Sequence, residues 1–149
     1  MKPASLLSTL MLTLMCANFL HAADWLTNYD QAVLKAVAEN KPILADFTGS
    51  DWCGWCMRLD KEVFSQPQFD AWASANVVLL KIDFPRQTPL DVATQRANDA
   101  LAQRFKIQGF PTVVIFNPDG SQKARTGYRE GGVTAYVQYL NGLLNRGAI

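Results

Sequence analysis

Cys53 and Cys56, separated by Gly54-Trp55, are the two side chains in this sequence best placed for covalent chemistry. A β-branched run, Ile43–Thr48, passes through the polar loop Gly49–Asp51 into a segment patterned as a helix, Cys53–Phe64. That context puts the first thiol at a helix start, where unpaired N–H groups carry roughly half a positive charge. A thiol there holds its thiolate form more readily and becomes a nucleophile near neutral pH. The second thiol lies one turn on and can attack the first sulfur to close a disulfide. The expected roles are Cys53 as the exposed nucleophile and Cys56 as the shielded resolving thiol, with a Cys53–Cys56 disulfide as the oxidised state.

The N-terminus predicts where this chemistry takes place. Lys2 is the only charge before Asp24, Leu6–Leu20 is largely apolar, and Ala22-Ala23 follows. That is the layout of a secretory signal peptide, residues 1–22, with cleavage after Ala22 or, as an alternative, after Ala23. An uncleaved membrane anchor is the competing reading. The apolar stretch is 15 residues long with Ser and Thr inside it, against the roughly 20 that a spanning helix needs. Removal of the leader would discard Cys16 and His21. Periplasmic localisation is the expectation.

What remains after such a cut, residues 23–149, is one domain's worth of chain. Loss of Lys2 takes Lys+Arg from 14 to 13, against 13 Asp+Glu. A neutral chain with mixed charges gives no reason to expect nucleic acid as a partner. With His21 gone there is no histidine, which excludes Cys–His and Ser–His nucleophilic schemes. A zinc cage needs four ligands, and two thiols supplemented by Asp51 or Asp60 make a poor one; no metal and no cofactor are expected. Soft Cu(I) can be held by two thiolates, so a Cu(I)-binding or metallochaperone module is the alternative function. A purely structural disulfide is disfavoured, because so small a ring removes little chain entropy.

The positioning elements follow from pattern. Tyr29–Asn40 reads as a helix capped by Asn28. Val77–Asp83 is a nearly continuous apolar run, expected of a strand buried on both faces. Between them, Ser65-Gln66-Pro67 should end the Cys53–Phe64 helix, and Gln68–Ala75 should form a short one. Thr88-Pro89 predicts a helix start, with Thr88 as cap, running to about Phe105. Thr112–Asn117 and Gln122–Thr126 are strands joined by Pro118-Asp119-Gly120, and Val133–Leu144 is a closing amphipathic helix. The expected fold is α/β, a central mixed sheet with helices on both faces.

Taken in order, strand, Trp52-Cys-x-x-Cys, helix, strand, helix, Gly109-Phe110-Pro111-Thr112, hairpin and closing helix resemble thioredoxin. The resemblance covers roughly Lys41 to Leu144, leaving the Tyr29–Asn40 helix as an N-terminal addition. The Asp-Trp-Cys-x-x-Cys form is similar to exported relatives, among them the thioredoxin-like domain of the periplasmic membrane disulfide reductase. The resemblance implies a thiol–disulfide oxidoreductase acting on protein substrates, reductase or isomerase in character, and working as a monomer. A membrane thiol electron-relay protein is the implied partner. It also implies a cis Pro111 beside the redox pair, with the Phe110 backbone free to pair with substrate, and Trp52, Gly54 and Trp55 forming the substrate lip. Asp46 resembles the family's buried proton-relay acid, at a spacing one residue longer than in thioredoxin. Arg58 and Lys61 read as a solvated helix face, and Pro85–Gln103 as an elaborated crossover. The Gly-Trp dipeptide lacks the proline of reducing thioredoxins and the histidine of strong oxidants, so an intermediate to reducing potential is expected.

Overall fold

Alternation along Ile43–Thr48 decides how the molecule is layered. Ile43, Ala45 and Phe47 point to one face of the strand and Leu44, Asp46 and Thr48 to the other, and all six are buried. The computed structural model describes residues 24–146, so the predicted leader 1–22, its cut at Ala22 or Ala23, Cys16 and His21 lie outside the described residues. Five strands form one sheet: β1 (Trp25–Leu26), β2 (Ile43–Thr48), β3 (Val78–Asp83), β4 (Thr112–Phe116) and β5 (Gln122–Thr126), in the spatial order β1-β3-β2-β4-β5. β1, β3 and β2 run parallel; β4 and β5 are antiparallel to their neighbours.

The helices divide between the faces. Ala32 and Ala36 of α1 (Tyr29–Glu39) join Ile43, Ala45, Phe47, Leu80 and Phe116 in one core, with Leu101 of α4 (Val92–Arg104) against it. Leu59 of α2 (Gly54–Leu59), Phe69 and Ala73 of α3 (Pro67–Asn76), and Tyr136 and Leu140 of α5 (Gly132–Asn145) join Leu44 and Ile115 in the other. Each Leu, Ile or Phe fully buried there contributes roughly 1.5–3 kcal/mol. This is the α/β thioredoxin-like architecture expected, but α1 is not an addition outside it: Ala32 and Ala36 build it into the core beside β2 and β3.

Local readings fare differently. Asn28 caps α1, its Oδ1 accepting from Gln31 N at 3.0 Å, and Asn40 ends it in the left-handed conformation that suits asparagine. The α4 expectation was wrong at its start: Asp91 is the cap, accepting from Thr94 N and Thr94 Oγ1, and Thr88-Pro89 stays in loop. Asp91 offers a charged acceptor to the first turn, which outcompetes Thr88 three residues earlier. The segment after Cys53 is not one regular helix. Past Leu59 it widens into a π turn, Asp60–Phe64, in which Ser65 N donates to Asp60 O at 2.8 Å. Pro67 opens α3 instead of preceding it. β1 escaped the sequence reading altogether, because a two-residue edge strand carries no periodic signal.

Candidate active site

Three loops meet at one end of the sheet, and strand register explains why. β2 runs out at Thr48 into the cysteine loop. Phe47 pairs with Thr112 across the antiparallel β2–β4 ladder, so Pro111 comes level with the end of β2. On the other side Thr48 pairs with Asp83, and Phe84 N donates to Thr48 O at 2.9 Å. Loops 49–53, 84–88 and 109–111 are thereby brought together.

Cys53 is the N-cap of α2 and is joined to Cys56 by a disulfide with Cα atoms 5.2 Å apart. Cys56 N donates to Cys53 Sγ at 3.2 Å, and Gly49 N to Cys56 Sγ at 3.5 Å. The sulfur of Cys53 thus receives one of the helix's unpaired N–H groups. One expectation needs correcting: Cys53 is not open to solvent. It is 7 % exposed against 4 % for Cys56. The turn before Trp52 is tight at Gly49, where a Cβ would meet the Trp52 indole at 2.5 Å.

Trp52 is held on three sides. Its Nε1 donates to Phe84 O at 2.7 Å, its ring meets Phe110 edge-on at 5.9 Å, and the Arg86 guanidinium lies 3.5 Å above it. The Phe110–Pro111 peptide bond is cis. Gly54 and Trp55 are exposed, Trp55 by 54 %. Trp55 leans on Tyr128 with ring centroids 5.0 Å apart, and Arg58 packs over both rings while pairing with Glu62. Tyr128 Oη in turn donates to Glu62 Oε2 at 2.7 Å. Arg58 is therefore part of an aromatic cluster, not only a solvated helix face.

Asp46 lies on the α2 side of β2, 5 % exposed, and its Oδ1 has no hydrogen-bond partner among the described residues. Burial pushes its carboxyl up to about 7; Lys81, its register partner on β3, pulls it down, while Asp60 and Asp83 push it up. A cavity of about 140 Å³ is lined by Asp46, Cys56, Asp60 and Lys81, among others. Asp46 and Cys56 thus border the same cavity. Sequence reasoning missed Tyr128, Phe84 and the fixing role of Asp51. Asp51 was visible beside Trp52, but its partners are about 35 residues away and left no local signal.

This site, on this sheet, defines the class. A model of the thioredoxin-like domain family matches residues 29–141, and the chain belongs to that family; its Cys53–Cys56 pair is a thiol–disulfide exchange centre. The disulfide bond reductase DsbH of Chlamydia pneumoniae is 32% identical over 117 residues, 78% of this chain and 70% of that protein. Thioredoxin-related protein DsbJ of the same organism is 28% identical over 98% of this chain but only 46% of its own length. Thiol:disulfide interchange protein DsbD of Klebsiella pneumoniae is 33% identical over 64% of this chain and 14% of its own length. A solved DsbH oxidoreductase superposes with a TM-score of 0.79 at 30% identity, covering 85% of this chain and 87% of that one.

Proposed function

We propose that this protein is an exported thiol–disulfide reductase of the cell envelope that delivers electrons to protein disulfides through Cys53 and Cys56. The observation carrying this reading is the pair's placement: Cys53 caps α2 while Cys56 opens onto the Asp46 cavity. In the reduced protein the Cys53 thiolate attacks a substrate disulfide, and one substrate sulfur leaves as thiolate. Asp46 accepts the Cys56 proton through the shared cavity. Cys56 then attacks Cys53 Sγ, closing the intramolecular disulfide and releasing the second substrate sulfur.

Substrate docks against Trp52, Gly54 and Trp55, with the Phe110 backbone beside cis Pro111 available for strand-like pairing. A reductase in an oxidising compartment needs a donor, and a membrane thiol relay is the proposed one. Likeness to a segment of DsbD supports that choice, as the reductase name of DsbH supports the direction. The leader-like character of residues 1–22 supports export. No helix among the described residues is long and apolar enough to cross a membrane.

Insulin reduction with a thiol donor, together with equilibration of the Cys53–Cys56 pair against glutathione, tests the reading. Catalytic turnover and a potential on the reducing side of glutathione are expected; ~30 mV corresponds to ~1.4 kcal/mol. Failure to turn over, with tight one-to-one Cu(I) uptake, would replace the reductase by a copper module.

A further inference from the structure

Asp51 spends its carboxylate on the opposite loop. Its oxygens accept from the backbone N–H groups of Arg86 at 2.9 Å, Gln87 at 2.7 Å and Thr88 at 3.1 Å, and its own carbonyl accepts from Gln87 Nε2 at 2.7 Å. Those bonds hold the Asp51 carboxyl below the usual range, so it stays ionised. The loop it grips has little else beneath it: Arg86, Gln87, Thr88 and Pro89 are exposed, and a cavity of about 230 Å³ lies between Pro85–Leu90 and the start of α4.

The grip has a consequence beside Cys53. Arg86, whose backbone N–H is held in this way, lays its guanidinium over Trp52, the residue immediately before Cys53. Among the described residues Arg86 makes no ion pair, whereas Arg58, the other arginine near the cysteines, is neutralised by Glu62. The neighbouring acids keep their charge but place it elsewhere: Asp51 accepts from three backbone N–H groups, and Asp83 from the N–H and hydroxyl of Ser50. Asp99 lies across the 230 Å³ cavity, on α4.

We propose that Asp51 is a positioning residue that straps the Arg86–Thr88 loop to the cysteine loop, and that Arg86, so held over Trp52, selects substrates carrying a carboxylate next to the reacting sulfur. The proposal rests on Cys53 being the attacking sulfur. A substrate disulfide approaching Cys53 passes the Trp52–Arg86 face, and an anionic neighbour gains an ion pair there while a cationic one is repelled.

Three small disulfides of similar size separate charge from fit: anionic dithiodipropionate, neutral hydroxyethyl disulfide and cationic cystamine. The pre-reduced protein is mixed with each and its oxidation followed by tryptophan fluorescence. In each case Cys53 displaces one thiolate of the probe and Cys56 the other. The dithiodipropionate-to-cystamine rate ratio, each rate normalised to hydroxyethyl disulfide, is expected to fall about three-fold in Arg86→Gln, the size an exposed charge pair supports, and to survive in Arg86→Lys. High salt should compress the wild-type ratio and leave the Arg86→Gln ratio unmoved. Asp51→Ala should lower the ratio although it also removes an anion near Cys53, a change that by itself would raise it. Should that variant unfold, Thr88→Pro removes one of the three donors from an exposed position and is expected to lower the ratio in part. An unchanged ratio in Arg86→Gln overturns the selectivity. A ratio lost in Arg86→Gln but intact in Thr88→Pro and not lowered in folded Asp51→Ala overturns the strap. If wild type oxidises with none of the three, the redox reading of Cys53 itself fails; reduction of all three without charge discrimination sinks only the Arg86 proposal.

Discussion

Replacing Asp46 by Asn is expected to stabilise the oxidised protein at pH 8 and to change it little at pH 4. The folded carboxyl sits at about 7 against an ordinary 3.8, and each unit is worth about 1.4 kcal/mol. Because the folded pKa is the higher one, the folded state keeps a proton that the unfolded chain gives up from about pH 4 upward. Its stabilising contribution is complete below the unfolded pKa and is lost as pH rises through about 7, levelling off above that. The loss is about 4 kcal/mol at most, and Asn, which cannot ionise, does not suffer it. Asn still buries an unpartnered oxygen where Asp46 Oδ1 lay, a cost that does not vary with pH. A net gain of about 2–4 kcal/mol above pH 7 follows, or roughly 10 °C in melting temperature for a domain of this size. Urea unfolding of both proteins with the disulfide intact, at several pH values from 4 to 8, measures it. The cysteines do not titrate in that state, His21 is the chain's one histidine, and surface carboxylates common to both proteins cancel in the difference. The groups facing Asp46, namely Lys81, Asp60, Asp83 and Tyr136, are unaltered. A difference that stays flat from pH 4 to 8 would refute the account of Asp46 as a desolvated acid.

The same Asp46→Asn change should slow release of substrate from Cys53 by about ten-fold or more while leaving the first attack less affected, since only Cys56 needs the base; stopped-flow resolution of the two half-reactions checks this, and equal rates in both would reduce Asp46 to a buried strand residue. Cys56→Ser should accumulate mixed disulfides with substrate protein on non-reducing gels and Cys53→Ser none; the reverse pattern would exchange the two roles. Gly49→Ala forces a methyl into the Trp52 indole and should cost roughly 1–3 kcal/mol together with most insulin reduction, read by melting temperature and turnover. Wild-type stability and activity in that variant would show that the loop can move aside.

The chemistry itself was legible in the chain. Two thiols in a C-x-x-C spacing at a strand-to-helix junction, with no histidine beyond position 21, leave redox exchange or soft-metal binding as their uses, and no third class of reaction. The strand-like run Ile43–Thr48 and the apolar run before Asp83 marked two core strands in the chain itself, because a strand buried on both faces reads as a short, nearly continuous apolar run. The cap at Asn28 was equally local: one side chain reaching an N–H three residues ahead. Where two such local signals competed, as Thr88 and Asp91 did for the start of α4, pattern alone chose the wrong one, since the winner depends on where the preceding loop is held.

Tertiary structure alone decided what surrounds the sulfurs. That Asp46 is desolvated follows from α2 being laid over its face of β2, and no property of residues 43–48 predicts how dry that face is. Cys53 proved nearly as buried as Cys56, a packing outcome invisible to motif spacing. The Asp51 grip on residues 86–88, the Tyr128–Glu62–Arg58–Trp55 cluster and the Arg86 stack on Trp52 join residues about 35 to 70 positions apart in the chain. Sequence proximity sets which bonds a residue can make with its own turn; which loop stands opposite is settled only when parallel β2–β3 and antiparallel β2–β4 pairing bring three chain crossings to one sheet end.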